Sequence, residues 1–145
     1  MDSKVLYTAV VRATGGRGGH VRSQTGELDL ALARPAQRAS GQGTDPEELF
    51  AAGYAACFDS ALAVAARQQH LALGPVTTTA SVSLCTGPQQ QYSLEVQLLV
   101  EAPDCPEQDL SAAVAVADTL CPYSNGIRGN VPVSLTVRGR PLPIA

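Results

Sequence analysis

Two cysteines, an arginine and a glutamate are the residues of this chain whose types and settings allow chemistry. Cys57 lies inside the alanine-rich run Phe50-Ala51-Ala52-Gly53-Tyr54-Ala55-Ala56-Cys57-Phe58, and Cys121 ends a later helical run that leads into Pro122-Tyr123-Ser124-Asn125-Gly126. Arg17 stands among glycines in Gly15-Gly16-Arg17-Gly18-Gly19, and Glu47 follows Asp45-Pro46 at a helix start. A thiol beside a permanent cation gives up its proton more readily and becomes a nucleophile. The combination suggests redox chemistry on a peroxide.

Each residue also has a plain structural reading. Cys57 falls about three helical turns after Pro46, too far for the dipole of its own helix to lower its pKa much. A reactive thiolate there needs a cation from elsewhere in the fold, and without one Cys57 is a small core hydrophobe. Arg17 is the leading cation; as a loop residue it equally reads as a solvated hairpin tip. If it is buried beside a thiolate it needs a carboxylate partner, which Glu47 can supply. Glu48, three residues after Asp45, is accounted for by a capping box. At 100° per residue Glu47, Phe50, Tyr54 and Cys57 share one quarter of the helix circumference. That stripe is either a core face or an apolar pocket with a charged gate, walled by Phe50 and Tyr54 and suited to a bulky organic substrate. Cys121 becomes a resolving cysteine if the fold sets its α-carbon within about 7 Å of that of Cys57. Cys85, on the polar register of its strand, and Cys105, before a proline at a helix start, have no cationic neighbour in sequence and read as incidental.

Composition narrows the classes. With 145 residues the chain is expected to form a single domain over 1–145, and with 45% hydrophobic and 16% charged residues it is globular with a rather apolar surface that self-association could cover. A net charge of −3 with scattered arginines leaves no electrostatic footprint for nucleic acid. The N-terminal residues lack the pattern of an export signal, and Asp59 and Arg67 interrupt the most apolar helix, so a soluble cytoplasmic protein away from membranes is expected. Four cysteines in such a setting read as reduced, reactive or metal-binding rather than as a disulfide framework. No C-x-x-C or H-x-x-x-H spacing supports zinc, no nucleophile elbow surrounds Ser60 or Ser124, and the glycines about Arg17 fit neither a Walker nor a Rossmann loop.

The elements that must position these residues follow from periodicity. Val5, Tyr7, Ala9 and Val11 alternate as a first strand and Leu28, Leu30 and Leu32 as a later one. Val76, Thr78, Ala80, Val82 and Leu84 form one arm of a hairpin and Tyr92, Leu94, Val96, Leu98 and Val100 the other; Val131, Val133, Leu135 and Val137 make a last strand. Half-polar strands of this kind indicate an antiparallel sheet with one covered face. A helix opens at Asp45-Pro46-Glu47-Glu48 and runs to about His70 before Gly74-Pro75; a second runs from about Pro106 to Cys121. Residues 34–44 read as a loop. The order indicates an α+β fold, an antiparallel sheet packed on a long central helix. That helix is apolar over most of its circumference, and a second subunit is the economical cover for the side the sheet leaves bare.

The runs Asp45 to Phe58, Cys121 to Asn125 and Gly15 to Gly18 together resemble the organic hydroperoxide resistance proteins of the OsmC/Ohr family, over nearly the whole chain and in the family's order. The resemblance implies a peroxidatic cysteine at Cys57, a resolving cysteine at Cys121, an active-site arginine at Arg17 and its glutamate at Glu47. It implies an OsmC/Ohr-like fold in an intertwined homodimer, with no bound cofactor and a dihydrolipoyl-type dithiol on a lipoylated protein as reductant. The substrates would be alkyl, aryl or fatty-acid hydroperoxides. Asp45 and Glu48 stand where asparagine and glutamine are common, and Gly19-His20 follows Gly18; these departures touch the cap and the turn. A hotdog-type thioesterase or acyl binder, the OsmC branch of the family, and a non-catalytic thiol sensor are the other readings.

Overall fold

A computed structural model describes residues 2–38 and 42–141. The chain divides into two compact units, Met1–Leu49 and Phe50–Ala145.

In the first unit β1 (Val11–Thr14), β2 (His20–Ser23) and β3 (Asp29–Ala31) form an antiparallel meander in the order β1-β2-β3. Gly15 and Gly16 adopt φ of 76° and 58°, a left-handed conformation that side chains resist, and so let a 3-10 turn over Gly16–Gly18 carry Arg17 at the tip of the β1–β2 hairpin. The first strand is shorter than its alternation implies. Residues 4–10 keep the pattern, but among the described residues they join no ladder beyond the Val10 carbonyl, which accepts from Gln24 N–H at 2.9 Å, and Val5, Leu6 and Tyr7 are exposed. A strand needs a neighbour for its backbone groups as well as an apolar face. Of the loop at 34–44, residues 39–41 lie outside the described residues; Leu32 and Thr44 bridge its two ends.

The long helix α1 (Pro46–Gln68) begins in the first unit, and the boundary between the units falls at its first turn. Its start is written in the sequence: the Glu48 backbone N–H donates to Asp45 Oδ1 at 2.7 Å, and Pro46 occupies the first helical position. The expected capping box is only half formed. The Glu48 carboxylate accepts from the Thr44 hydroxyl at 2.7 Å, while Asp45 also pairs with Arg38. The helix ends where His70 takes φ 57°.

In the second unit the antiparallel hairpin of β4 (Thr77–Thr86) and β5 (Tyr92–Pro106) is completed by β6 (Val133–Arg140), in the order β4-β5-β6. The β5–β6 pair is parallel, so this sheet is mixed rather than antiparallel throughout. Strand patterning reports faces and not direction; the reason for the parallel pair is the crossover through α2 (Glu107–Leu120) and α3 (Pro122–Ile127). Alternation buries Val96, Leu98, Val100 and Ala102 against Tyr54, Phe58, Leu62 and Ala65 of α1 and Leu110, Val114 and Ala117 of α2. On β4 the pattern lapses at the end, leaving Leu84 exposed and Cys85 half-buried.

By length and composition α1 is apolar enough to cross a membrane, more so than the interruptions at Asp59 and Arg67 suggest, with a mean hydropathy of 1.6 over its best window. Only a third of that window is buried within the chain. The buried part is the stripe that joins the core, and the small residues Ala52, Ala56, Ser60 and Ala63 lie exposed on other faces.

Candidate active site

The structure brings the four chemical residues together as two pairs, one in each unit. In the first unit the Arg17 guanidinium meets Glu47 side by side, with Nη1 donating to Oε2 at 2.8 Å and Nη2 to Oε1 at 2.6 Å. This two-pronged geometry is the strong form of a carboxylate–guanidinium bond. Arg17 is therefore not a free hairpin tip. The glycine turn folds it onto the start of α1, where the Glu47 side chain is only 15% exposed. The hydrogen bond raises the Arg17 pKa above its usual value and holds the Glu47 carboxyl below the usual range, so both groups are charged at neutral pH.

In the second unit the Cys57 and Cys121 sulfurs lie 3.6 Å apart. All four cysteines are free thiols. Cys57 sits mid-helix on α1, half-buried, and Cys121 is fully buried at the joint of α2 and α3. Local bonding explains the joint. The Cys121 N–H closes α2 on the Ala117 carbonyl at 2.9 Å, and its own carbonyl accepts from Asn125 N–H at 3.0 Å to open α3 behind Pro122. Burial pushes the Cys57 thiol pKa up; the Tyr123 backbone N–H opposes this, and the neighbouring Cys121 thiol reinforces it. None of these influences is a cation.

The aromatic stripe is rearranged relative to expectation. Phe50, Tyr54 and Tyr123 form a cluster with ring centres 5.6 to 6.2 Å apart. Phe50 is half-buried. Tyr54 is fully buried and its hydroxyl shares a hydrogen bond with Ser124 Oγ at 2.7 Å. Burial raises its pKa, which keeps the phenol protonated. Gly53 is needed for the close approach of α3, because a Cβ there would overlap the Tyr123 side chain.

Three participants escaped the sequence reading: Tyr123, Ser124 and Arg38. Tyr123 and Ser124 belong to α3, a helix of six residues. Its one signal was proline directly after Cys121, the favoured first helical position, masked by the turn-like Ser-Asn-Gly that follows. Arg38, placed among scattered surface charges, instead clasps the capping Asp45 and donates from Nε to the Ala33 carbonyl at 3.2 Å. Cys105, near the end of β5, is wholly buried with burial raising its pKa, and Cys85 points toward the Ser83 carbonyl.

A pair of adjacent thiols on an α+β scaffold, with a charge-paired arginine on a glycine turn, defines a class of small thiol proteins. The OsmC-like protein family matches residues 39–136, and the chain belongs to that family. It is 44% identical over 137 residues to the organic hydroperoxide resistance protein of Xanthomonas axonopodis pv. citri, covering 92% of this chain and 96% of that protein. Among solved structures, an organic hydroperoxide resistance protein from Legionella pneumophila superposes with a TM-score of 0.86 at 46% identity, over 93% of this chain and 99% of that one. OhrB of Bacillus subtilis gives 0.86 at 40%, over 92% and 100%.

Proposed function

We propose that this protein protects against organic hydroperoxides as a cysteine-based peroxidase. The observation that carries the reading is the 3.6 Å approach of Cys57 and Cys121, in a chain similar along nearly its whole length to organic hydroperoxide resistance proteins. In this reading the Cys57 thiolate attacks the distal peroxide oxygen. The O–O bond breaks, the alcohol leaves with a proton, and Cys57 becomes a sulfenic acid. Cys121 condenses with it, releasing water and forming a disulfide that protects the sulfur from further oxidation. A dithiol, of dihydrolipoyl type on a lipoylated protein, then restores both thiols.

Arg17 is the activating cation of the proposal. Burial holds the Cys57 pKa up, so a thiolate at neutral pH requires a positive charge beside it. Arg17 is charged, pre-set on its glycine turn and held by Glu47. The half-buried Phe50 with Tyr123 gives an apolar wall that favours alkyl, aryl or fatty-acid chains over hydrogen peroxide. The working form is a homodimer in the cytoplasm, with a second copy covering the exposed apolar segment at 4–10 and the bare side of α1.

The test is one equivalent of cumene hydroperoxide, or of hydrogen peroxide, added to the fully reduced protein, followed by denatured thiol counting and disulfide mapping. Two thiols should disappear into a Cys57–Cys121 link, faster with the organic peroxide, and Cys57→Ser should abolish the reaction. Four thiols reacting slowly and alike would overturn the reading.

A further inference from the structure

Tyr54 and Cys57 are three residues apart on α1, and Cys121 and Ser124 are three residues apart at the start of α3. The two sets meet rung by rung: sulfur to sulfur at 3.6 Å and hydroxyl to hydroxyl at 2.7 Å. Helical neighbours at this spacing share a face and lie about 5–6 Å apart. The hydroxyl rung is therefore the next contact along the same seam as the thiol rung. Both of its members are buried, with Ser124 at 3% exposure, where breaking a hydrogen bond strands a polar group away from water.

The rest of α3 is tied elsewhere. Asn125 Nδ2 donates to the Thr119 carbonyl at 3.0 Å, while Arg128 donates to Asn125 Oδ1 at 2.6 Å and to the Asp118 carbonyl at 2.8 Å. These bonds fasten α3 to α2. The Tyr54–Ser124 bond is a side-chain-to-side-chain link from α3 to α1, the helix that carries Cys57, and stands beside the Tyr123 backbone N–H that bonds the Cys57 sulfur.

We propose that Tyr54 and Ser124 are positioning residues for disulfide closure: their hydrogen bond fixes the register of α3 on α1 so that Cys121 stays within reach of an oxidised Cys57. The proposal rests on the two-cysteine reading above. In the step concerned the Cys121 sulfur attacks the sulfenic sulfur of Cys57, the S–O bond breaks, and the departing hydroxide takes the Cys121 proton to leave as water. The oxidant, a hydroperoxide, has already been consumed. A disulfide bond of about 2.05 Å requires the sulfurs to close by only about 1.5 Å from their present separation. The adjacent hydroxyl rung holds α3 against α1 while that closure takes place.

The experiment follows two steps separately in reduced full-length protein mixed with cumene hydroperoxide: loss of the Cys57 thiol, and appearance of the disulfide, with dimedone trapping the sulfenic acid between them. Ser124→Ala should oxidise Cys57 at the parental rate within about twofold but close the disulfide about tenfold more slowly, accumulating trapped and over-oxidised Cys57. Ser124→Thr, which keeps the hydroxyl, should restore closure. Tyr54→Phe removes the same bond from the other side at nearly constant volume and should slow closure alike, which keeps the test decisive if one variant folds poorly. Parental closure rates in Ser124→Ala and Tyr54→Phe overturn the proposal, as does equal slowing of both steps without rescue by threonine. A Cys121→Ser protein that turns over like the parent instead overturns the two-cysteine reading itself, and the positioning role with it.

Discussion

At the scale of single residues, the proposed chemistry turns on how one half-buried thiol is ionised. Burial and the Cys121 thiol hold Cys57 above the usual thiol pKa, and the Tyr123 N–H offsets them only in part. Removing the proposed cation leaves those influences in charge. In Arg17→Ala the pH midpoint for alkylation of Cys57 by iodoacetamide should rise, and the rate at pH 7 should fall about tenfold or more for each unit of upward shift. An unchanged profile would remove Arg17 as the activating group. The Arg17–Glu47 pair has the opposite pH sense. The Glu47 pKa is lowered in the folded protein, so its contribution is present above the ordinary carboxylate range and is lost only as pH falls through the lowered value. The thiols, the arginine and its carboxylate were legible as residue types in motifs. The burial of Tyr54 under α3 was not legible, because helical spacing reports which face a ring occupies and not whether another helix lies over it.

At the scale of elements, α3 is the piece that composition hid, and Gly53 is what admits it. A methyl group at 53 would overlap Tyr123, so Gly53→Ala should lower stability by about 1–3 kcal/mol despite the better helix propensity of alanine. Gly126, inside α3, has open space where a Cβ would go and no left-handed backbone. Gly126→Ala should therefore raise stability by about 0.4–1 kcal/mol. Denaturant titration of the two variants should give opposite signs, and equal behaviour would mean that α3 does not press on α1 at Gly53. The helices α1 and α2 were readable because caps and an apolar period coincide in them. The parallel sense of β5 and β6 was not, since a pairing direction is set by what connects two strands and their own residues carry no mark of it.

At the scale of the whole molecule, one chain leaves apolar surface unclaimed: Val5, Leu6 and Tyr7 near the N-terminus and much of α1. Light scattering on eluting protein at micromolar concentration should give about twice the 15.0 kDa of one chain, and deletion of residues 2–9 should shift the population toward single chains. A single-chain mass for the parent would overturn the dimer. The alternation of residues 5–11 suggests a strand, yet a ladder forms only from Val11, because a pattern specifies a face and a second strand must exist to meet it. The mixed sheet has a further consequence for how the chain is made. Strand β5 is the middle of its sheet, but its second neighbour, β6, comes from residues 133–140. While the ribosome is still adding the crossover, β5 is a long apolar strand with one open edge, the kind of edge that recruits other chains. Strand β6 thus acts as a seal, and a chain that stops before Val133 should be prone to clumping even though Cys57 and Cys121 are both already present.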